Sequence, residues 1–221
     1  MKKYTKTILV FTYYILFSLL IYVPLILLNI NIDKMSDNDL YIYTVITQII
    51  LISSLLFIYR KDMKVYFDDF KKNGKEHLKK GLKYWIIGLS IMITSNLLIS
   101  ILSPIKLAEN EQSIRKVLEV VPLFIAFAAV IEAPIVEELL FRKSLFDVFS
   151  NKKIFVIVSG LLFGAFHIIG SATSIYSWLY IIPYAALGMS FAYAYVKTNN
   201  VITSICLHAL HNFITLLILF I

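Results

Sequence analysis

Residues 122–142 read PLFIAFAAVIEAPIVEELLFR. This stretch is long and apolar enough to form a membrane-spanning helix, yet it contains Glu132, Glu137, Glu138 and Arg142. Ionisable side chains inside a membrane span are energetically costly, so each one marks a functional site by default. The stretch therefore predicts a helical membrane protein with polar chemistry inside the membrane.

The rest of the chain has the composition of a membrane protein. Of its 221 residues, 59% are hydrophobic and 16% are charged, with a mean hydropathy of +0.80. A soluble domain is about 25% charged, so this composition argues against one. We predict an all-α fold, a polytopic transmembrane helix bundle that forms a single membrane domain over residues 1–221. About seven spans are predicted, at 8–30, 40–59, 84–102, from 122 onward, 154–169, 175–196 and 201–221.

The positive charges predict the orientation of the bundle. Nine Lys and Arg residues fall in the predicted loop 60–83, and in total 17 of the 21 would lie on one side of the membrane. An excess of Lys and Arg marks cytoplasmic loops, so the N-terminus is predicted to be cytoplasmic. We therefore interpret the net charge of +7 as a signal of membrane topology and as a means of contacting anionic lipid headgroups. We expect membrane lipids as partners, and no nucleic acid.

The ionisable residues of the spans lie almost entirely in the second half of the chain. Glu138 and Arg142 are four residues apart and can pair along one helix face, whereas Glu137 points about 100° away. His208 and Asn212 share a face of the last span. Such side chains from different helices can converge in a bundle and bind a metal or activate a water.

Convergence also requires similar depths in the membrane. At ~1.5 Å per residue, His167 lies ~20 Å from the start of its span. Glu137 reaches a comparable depth only if the fourth helix continues to Phe149. We therefore predict a long fourth helix in which Arg142 is buried against protein, and access to the site from the cytoplasmic leaflet.

Three motifs resemble those of a known family. They are EExxxR at 137–142, FxxxH at 163–167 and HxxxN at 208–212. In order and spacing they resemble the CPBP family of intramembrane proteases over residues 121–213. That family includes type II CAAX prenyl endopeptidases and bacterial relatives in bacteriocin processing or immunity. One departure is Lys143, where the family often has Gly after the motif Arg.

The resemblance implies roles for six residues. Glu137 would be the general base that activates water, and His167 would act on the same water or bind a metal. His208 and Asn212 would complete the site and stabilise the oxyanion, with Glu138 and Arg142 as a supporting pair. The family is described both as metal-dependent and as glutamate-type. A divalent metal such as zinc is therefore an open alternative, and its ligands would be Glu137, His167, His208 and Asn212.

Two classes of function follow from the resemblance. The first is an endopeptidase that cuts a small membrane-associated protein or peptide, such as a bacteriocin, a signalling pro-peptide or a CAAX-type tail. The alternative is a non-proteolytic immunity or scaffold protein that keeps the fold. Abundant Ile, Lys, Asn and Tyr indicate an AT-rich coding sequence and hence a bacterial plasma membrane. Because bacteria generally lack CAAX prenylation, peptide maturation or bacteriocin self-immunity is favoured. Glu132 and His211 are expected to be structural, and the oligomeric state stays open.

Overall fold

The computed structural model describes residues 3–219, apart from the side chains of Lys3 and Asp33, and contains no β-strand in that part of the chain. Lys2 and the last two residues of the predicted seventh span lie outside this range. In chain order the helices are α1 (Lys3–Leu19), α2 (Val23–Leu27), α3 (Asp37–Ile58), α4 (Arg60–Leu102), α5 (Glu109–Val120), α6 (Pro122–Phe127), α7 (Ala133–Glu137), α8 (Lys152–Ile168), α9 (Ile181–Thr198) and α10 (Val201–Leu219).

The predicted all-α membrane bundle is confirmed. Among the described residues, four helices are long and apolar enough to cross a membrane, namely α3, α4, α10 and the segment Ile175–Thr198 that contains α9. The other predicted spans correspond to shorter apolar helices, so the total of seven stays a prediction, as does the side of the N-terminus. The prediction of a continuous first span over residues 8–30 is wrong, because the chain bends at residues 20–22 between α1 and α2.

Helix α4 corrects a second expectation, since the basic segment 60–83 is helical and not a loop. With 43 residues, α4 is ~65 Å long, about twice the ~30 Å hydrocarbon core of a bilayer. Its apolar part crosses the membrane and its basic part extends beyond it. There the Asn200 amide, at the turn between α9 and α10, donates to Asp69 Oδ2 at 2.7 Å and to the Tyr66 carbonyl at 2.8 Å.

The predicted fourth helix is composite. Residues 122–144 form one helical segment, here called the motif helix, in which π-helical turns at Ala128–Glu132 and Glu138–Ser144 flank α7. Pro134 follows the first π turn and cannot donate a backbone hydrogen bond, which explains a local change of helical geometry there. Helical structure continues to residue 146, so the helix does extend past Arg142 but stops short of Phe149.

Glycines bring α4, α8 and α9 close together. A Cβ atom at Gly164 of α8 would lie 2.9 Å from both the Ala185 backbone nitrogen and the Ile181 carbonyl oxygen of α9. A Cβ at Gly88 of α4 would lie 2.5 Å from Ser190 Cβ on the other face of α9. Small residues of this kind allow membrane helices to pack backbone against backbone. Helix α9 is thereby fixed between its two neighbours.

We predict that Gly164→Ala destabilises the bundle by about 1–3 kcal/mol, because the added methyl group meets backbone atoms that cannot rotate away. Thermal unfolding of the detergent-solubilised protein measures the change. The control is Leu161→Ala one turn earlier, where the side chain is 47% exposed and its loss should have little effect in detergent. Equal stability of the Gly164 variant and wild type would show that α8 and α9 are not in this close contact.

Helix α5 was not predicted as an element. Its first residue, Glu109, fastens it to the chain between α8 and α9. Glu109 Oε1 accepts hydrogen bonds from Ser177 Oγ at 2.6 Å and from Thr173 Oγ1 at 2.7 Å. Although partial burial raises the pKa of Glu109, these hydrogen bonds outweigh it and hold the pKa below its ordinary value. The ionised carboxylate is therefore the form that holds α5 in place.

The Glu109 contact predicts a pH dependence. Because the folded-state pKa is lowered, the stabilisation is complete above the ordinary glutamate pKa of about 4.3 and is lost as the pH falls through the lower, folded value. Glu109→Gln should accordingly unfold at a lower temperature than wild type near neutral pH, and this difference should shrink in acid. Glu119→Gln, an exposed glutamate on the same helix, is the control. A difference that does not change with pH would contradict the prediction.

Candidate active site

A buried ion pair lies at the centre of the motif helix. Arg142 Nε lies 3.0 Å from Glu138 Oε2, and both side chains are completely inaccessible to solvent. Arg142 Nη2 also donates to the Gly188 carbonyl of α9 at 3.1 Å, and its guanidinium lies 4.6 Å from the ring of Phe163 on α8. The predicted pairing of Glu138 with Arg142, and the burial of Arg142 against protein, are both present in the structure.

Glu138 in turn orients His208 of α10. The second carboxylate oxygen of Glu138, Oε1, lies 3.0 Å from His208 Nδ1. The His208 ring also stacks on Phe191 of α9, with ring centroids 4.8 Å apart. A carboxylate accepts hydrogen bonds, so Nδ1 carries the proton of this contact and Nε2 of a neutral imidazole is left as an acceptor. The ring therefore has one tautomer and one position.

Glu137 faces a cavity and not the buried pair. Its Oε2 atom is inaccessible to solvent and has no hydrogen-bond partner within the described residues, and it lies 4.0 Å from His208 Nε2. That distance is too long for a hydrogen bond, although both residues line the same cavity. Glu137 and Glu138 thus contact different groups, because their side chains leave the helix about 100° apart.

One cavity of about 410 Å³ brings the remaining predicted residues together. Glu137, His167, His208 and Asn212 all line it, although they come from three different helical segments. His167 Nδ1 lies 2.8 Å from the Phe163 carbonyl, which can only accept, so Nε2 is the free nitrogen of a neutral ring. Asn212 Nδ2 donates to the Ala129 carbonyl in the first π turn at 2.7 Å and has a second hydrogen available.

The same cavity is also lined by residues that belong to none of the three sequence motifs. Tyr184 of α9 stacks on His167 with ring centroids 4.5 Å apart, and Tyr14 contributes from α1, a span that had no predicted role. Glu132 and His211, expected to be structural, are also lining residues. Tyrosines are common in membrane proteins, so only the fold distinguishes these two from the rest.

Lys143, the departure from the family pattern, is part of a second ionic group. Its ammonium lies 3.2 Å from Asp62 at the start of α4 and 3.3 Å from Asp147 one turn later. The side chain is only 6% exposed. Lys143 therefore connects the end of the motif helix to α4 and is not a lining residue of the cavity.

The cavity extends toward α5. Its lining includes Asn96 near the end of α4, and Asn110, Glu111 and Ile114 of α5, whereas no residue of the described segment 60–83 contributes. In the predicted orientation α5 lies on the outer side. The expected access from the cytoplasmic leaflet stays a prediction, and the predicted depths did not include α5 and the end of α4.

The donor atoms suit a divalent metal in type but not in placement. A carboxylate and two histidine Nε2 atoms are ordinary zinc ligands. Within residues 3–219, however, no three His, Cys, Asp or Glu side chains are close enough together to hold a metal ion. Of these donor atoms, Glu137 Oε2 and His208 Nε2 lie 4.0 Å apart.

Residues 119–214 match a family model described as "Type II CAAX prenyl endopeptidase Rce1-like". The resemblance predicted from the three motifs is thus confirmed over this segment, which contains the motif helix, α8, α9 and most of α10. This part of the chain is therefore similar to a family of membrane proteins. Together with its long apolar helices, this similarity shows that the chain is a multi-pass membrane protein.

Curated relatives agree with the family model. The chain is 31% identical over 108 residues to "Putative membrane peptidase YdiL" of Bacillus subtilis, an alignment that covers 48% of this chain and 41% of that protein. It is 28% identical over 132 residues to "UPF0177 protein YxdF" of Lactococcus lactis, covering 57% of this chain and 71% of that one. The chain therefore spans less than half of the length of YdiL. No solved structure matches it.

We predict that Arg142→Met destabilises the protein by about 3–5 kcal/mol, because it leaves the Glu138 carboxylate buried without its cation. Adding Glu138→Gln to this variant should recover part of the loss. Chemical unfolding in detergent gives both values. Arg115→Met is the matched control, since Arg115 pairs with Glu111 on the exposed face of α5 and its loss should cost less than about 1 kcal/mol. If the two arginine variants behave alike, the buried pair is not what supports the site.

Proposed function

We propose that this protein is an intramembrane endopeptidase that hydrolyses a peptide bond with a water activated by Glu137. The observation that carries the proposal is the pair formed by Glu137 Oε2 and His208 Nε2, 4.0 Å apart at the wall of a cavity within the membrane domain. Glu137 Oε2 has no hydrogen-bond partner among the described residues, which leaves this oxygen available to act as a base.

The proposed reaction begins with a water held between these two atoms. Glu137 removes a proton from it, and the resulting hydroxide attacks the carbonyl carbon of the substrate. The carbonyl oxygen becomes an oxyanion, which the second N–H of the Asn212 side chain stabilises. When the tetrahedral intermediate collapses, the C–N bond breaks and Glu137 returns its proton to the leaving amine nitrogen.

The two histidines have different roles in this scheme. His208 presents Nε2 as the acceptor for the second hydrogen of the water, because its Nδ1 is occupied by Glu138, while the free Nε2 of His167 faces the substrate side of the cavity. The oxyanion role that the resemblance implies for His208 is therefore assigned to Asn212 alone. Glu138 and Arg142 do not touch the reacting atoms and are positioning residues.

We propose a small membrane-associated protein or peptide as substrate, in a bacterial plasma membrane. The matched family is described as prenyl endopeptidases, and the relatives come from Bacillus subtilis and Lactococcus lactis. Bacteria generally lack CAAX prenylation, so maturation of a bacteriocin or signalling pro-peptide is preferred over cleavage of a prenylated tail. A cavity of about 410 Å³ accommodates a few residues of an extended peptide, not a folded domain.

We predict that Glu137→Gln lowers cleavage by about 10²–10⁴-fold, because it removes the base while keeping the size of the side chain. Mass spectrometry of membrane-associated peptides from cells with matched expression detects the products. A defined fragment should be present with wild type and with the exposed control Glu119→Gln, and absent with Glu137→Gln. If the peptide profiles are identical and an immunity phenotype survives the substitution, the protein is a non-proteolytic immunity or scaffold protein.

The same assay tests the metal alternative. Purified wild type is assayed on the identified fragment before and after treatment with a chelator, and its metal content is measured. Activity that is lost on chelation and restored by zinc would replace the glutamate-type mechanism by a metal-dependent one, with ligands drawn from Glu137, His167, His208 and Asn212. Unchanged activity supports the mechanism proposed here.

A further inference from the structure

A second cavity lies on the other side of α9 from the candidate active site. It is a groove of about 530 Å³ between α4, α8 and α9, and no residue lines both cavities. Gly88 and Ala186 are among the small residues that line it. The walls are formed mainly by aliphatic and aromatic side chains, including Ile87, Val156 and Met189.

The groove offers almost no polar group to a ligand. Ser190 lines it, but its hydroxyl already donates to the Leu187 carbonyl at 2.7 Å. The remaining side-chain polar atoms belong to Tyr84 and Tyr193, whose ring centroids are 4.6 Å apart. Such walls suit a hydrocarbon, while tyrosines are typical of the level at which a membrane meets water. The tyrosine end of the groove is therefore its interfacial end.

Three lysines from the three helices of the groove lie within four residues of its lining residues at this interfacial end. Lys83 precedes Tyr84 on α4, Lys153 lies one turn before Val156 on α8, and Lys197 Nζ of α9 is 5.2 Å from the ring centroid of Tyr193. All three are exposed, and within the described chain none forms an ion pair. Three uncompensated positive charges thus stand beside the end of an apolar groove.

The length of the groove matches one leaflet of a bilayer. Its lining residues on α9 run from 181 to 193, a distance of ~18 Å along the helix, whereas half of a hydrocarbon core is ~15 Å thick. An acyl chain lying in the groove would end with its headgroup among the lysines. Lysines near a membrane surface attract anionic lipids, so the three together favour an anionic headgroup.

We propose that this groove binds one acyl chain of an anionic phospholipid, with the lipid phosphate held by Lys83, Lys153 and Lys197. A second copy of the chain fits less well. Two copies inserted in the same orientation would bring their lysines together at the same membrane level, and each carries a net charge of +7. The lipid site is separate from the proposed catalysis and does not depend on it.

The test measures lipid retained by the purified full chain. Protein in detergent is incubated with dioleoyl phosphatidylglycerol or with dioleoyl phosphatidylcholine, which has the same chains and no net charge, and bound lipid is counted by native mass spectrometry. Wild type should retain one phosphatidylglycerol and at least tenfold less phosphatidylcholine. The triple variant Lys83→Gln, Lys153→Gln, Lys197→Gln should lose this preference.

Two further variants separate the groove from general charge. The first removes three exposed lysines of the α4 extension away from the groove, Lys64→Gln, Lys72→Gln and Lys75→Gln, and should retain phosphatidylglycerol as wild type does. The second, Ala186→Phe, fills the groove and should lose the lipid although all lysines remain; Ala186→Leu is the milder replacement if the first does not fold. Equal loss in both lysine triples, full retention with a filled groove, or a dimer that dissociates when the groove is filled would each overturn the proposal.

Discussion

The contact between Arg142 and Glu138 is the constraint on which the rest of the structure depends. A charged pair that is wholly removed from water and from lipid is tolerated only if its own protein surrounds it. Arg142 accordingly contacts the Gly188 carbonyl and the Phe163 ring, and Glu138 contacts His208. These partners belong to α9, α8 and α10. The pair therefore requires the motif helix to lie inside a cage of the three following helices.

The same constraint sets the geometry of the candidate active site. Because Glu138 uses one oxygen for Arg142 and the other for His208, the imidazole is held in one orientation, with Nε2 toward Glu137. The carboxylate that faces the cavity is left unpaired only because its neighbour in sequence takes the cation. The two adjacent glutamates of the motif helix thus have different roles: Glu138 holds the ion pair and the imidazole, and Glu137 faces the cavity.

Much of this arrangement could be predicted from spacing alone. The four-residue steps from Glu138 to Arg142 and from His208 to Asn212 predicted shared helix faces, and the level of His167 predicted convergence. The depth estimate required a helix that continues past Arg142, and it does so to residue 146. The π turns on either side of α7 were not predictable, because only the Pro134 position signals one of them.

The failures have physical reasons as well. The apolar run 8–30 contains Pro24, which favours a helix start at this point and so marks the bend at 20–22, but hydropathy alone does not register it. Segment 60–83 was read as a loop because it is charged, but it contains no proline and only Gly74 and Gly81, so nothing interrupts the helix. Hydropathy reports where a helix leaves the membrane and does not report where the helix ends.

Helix α9 lies between the cavity of the candidate active site and the apolar groove. The window of Ile175–Thr198 is 56% buried, against 17% for α3, so α9 is central and α3 peripheral. Tyr184 and Leu187 face the cavity of Glu137, whereas Ala186 and Met189 face the apolar groove. A helix with a polar cavity on one side and an apolar groove on the other cannot vary freely on either face. Gly88 of α4 and Gly164 of α8 permit the close contacts that hold α9 in this position.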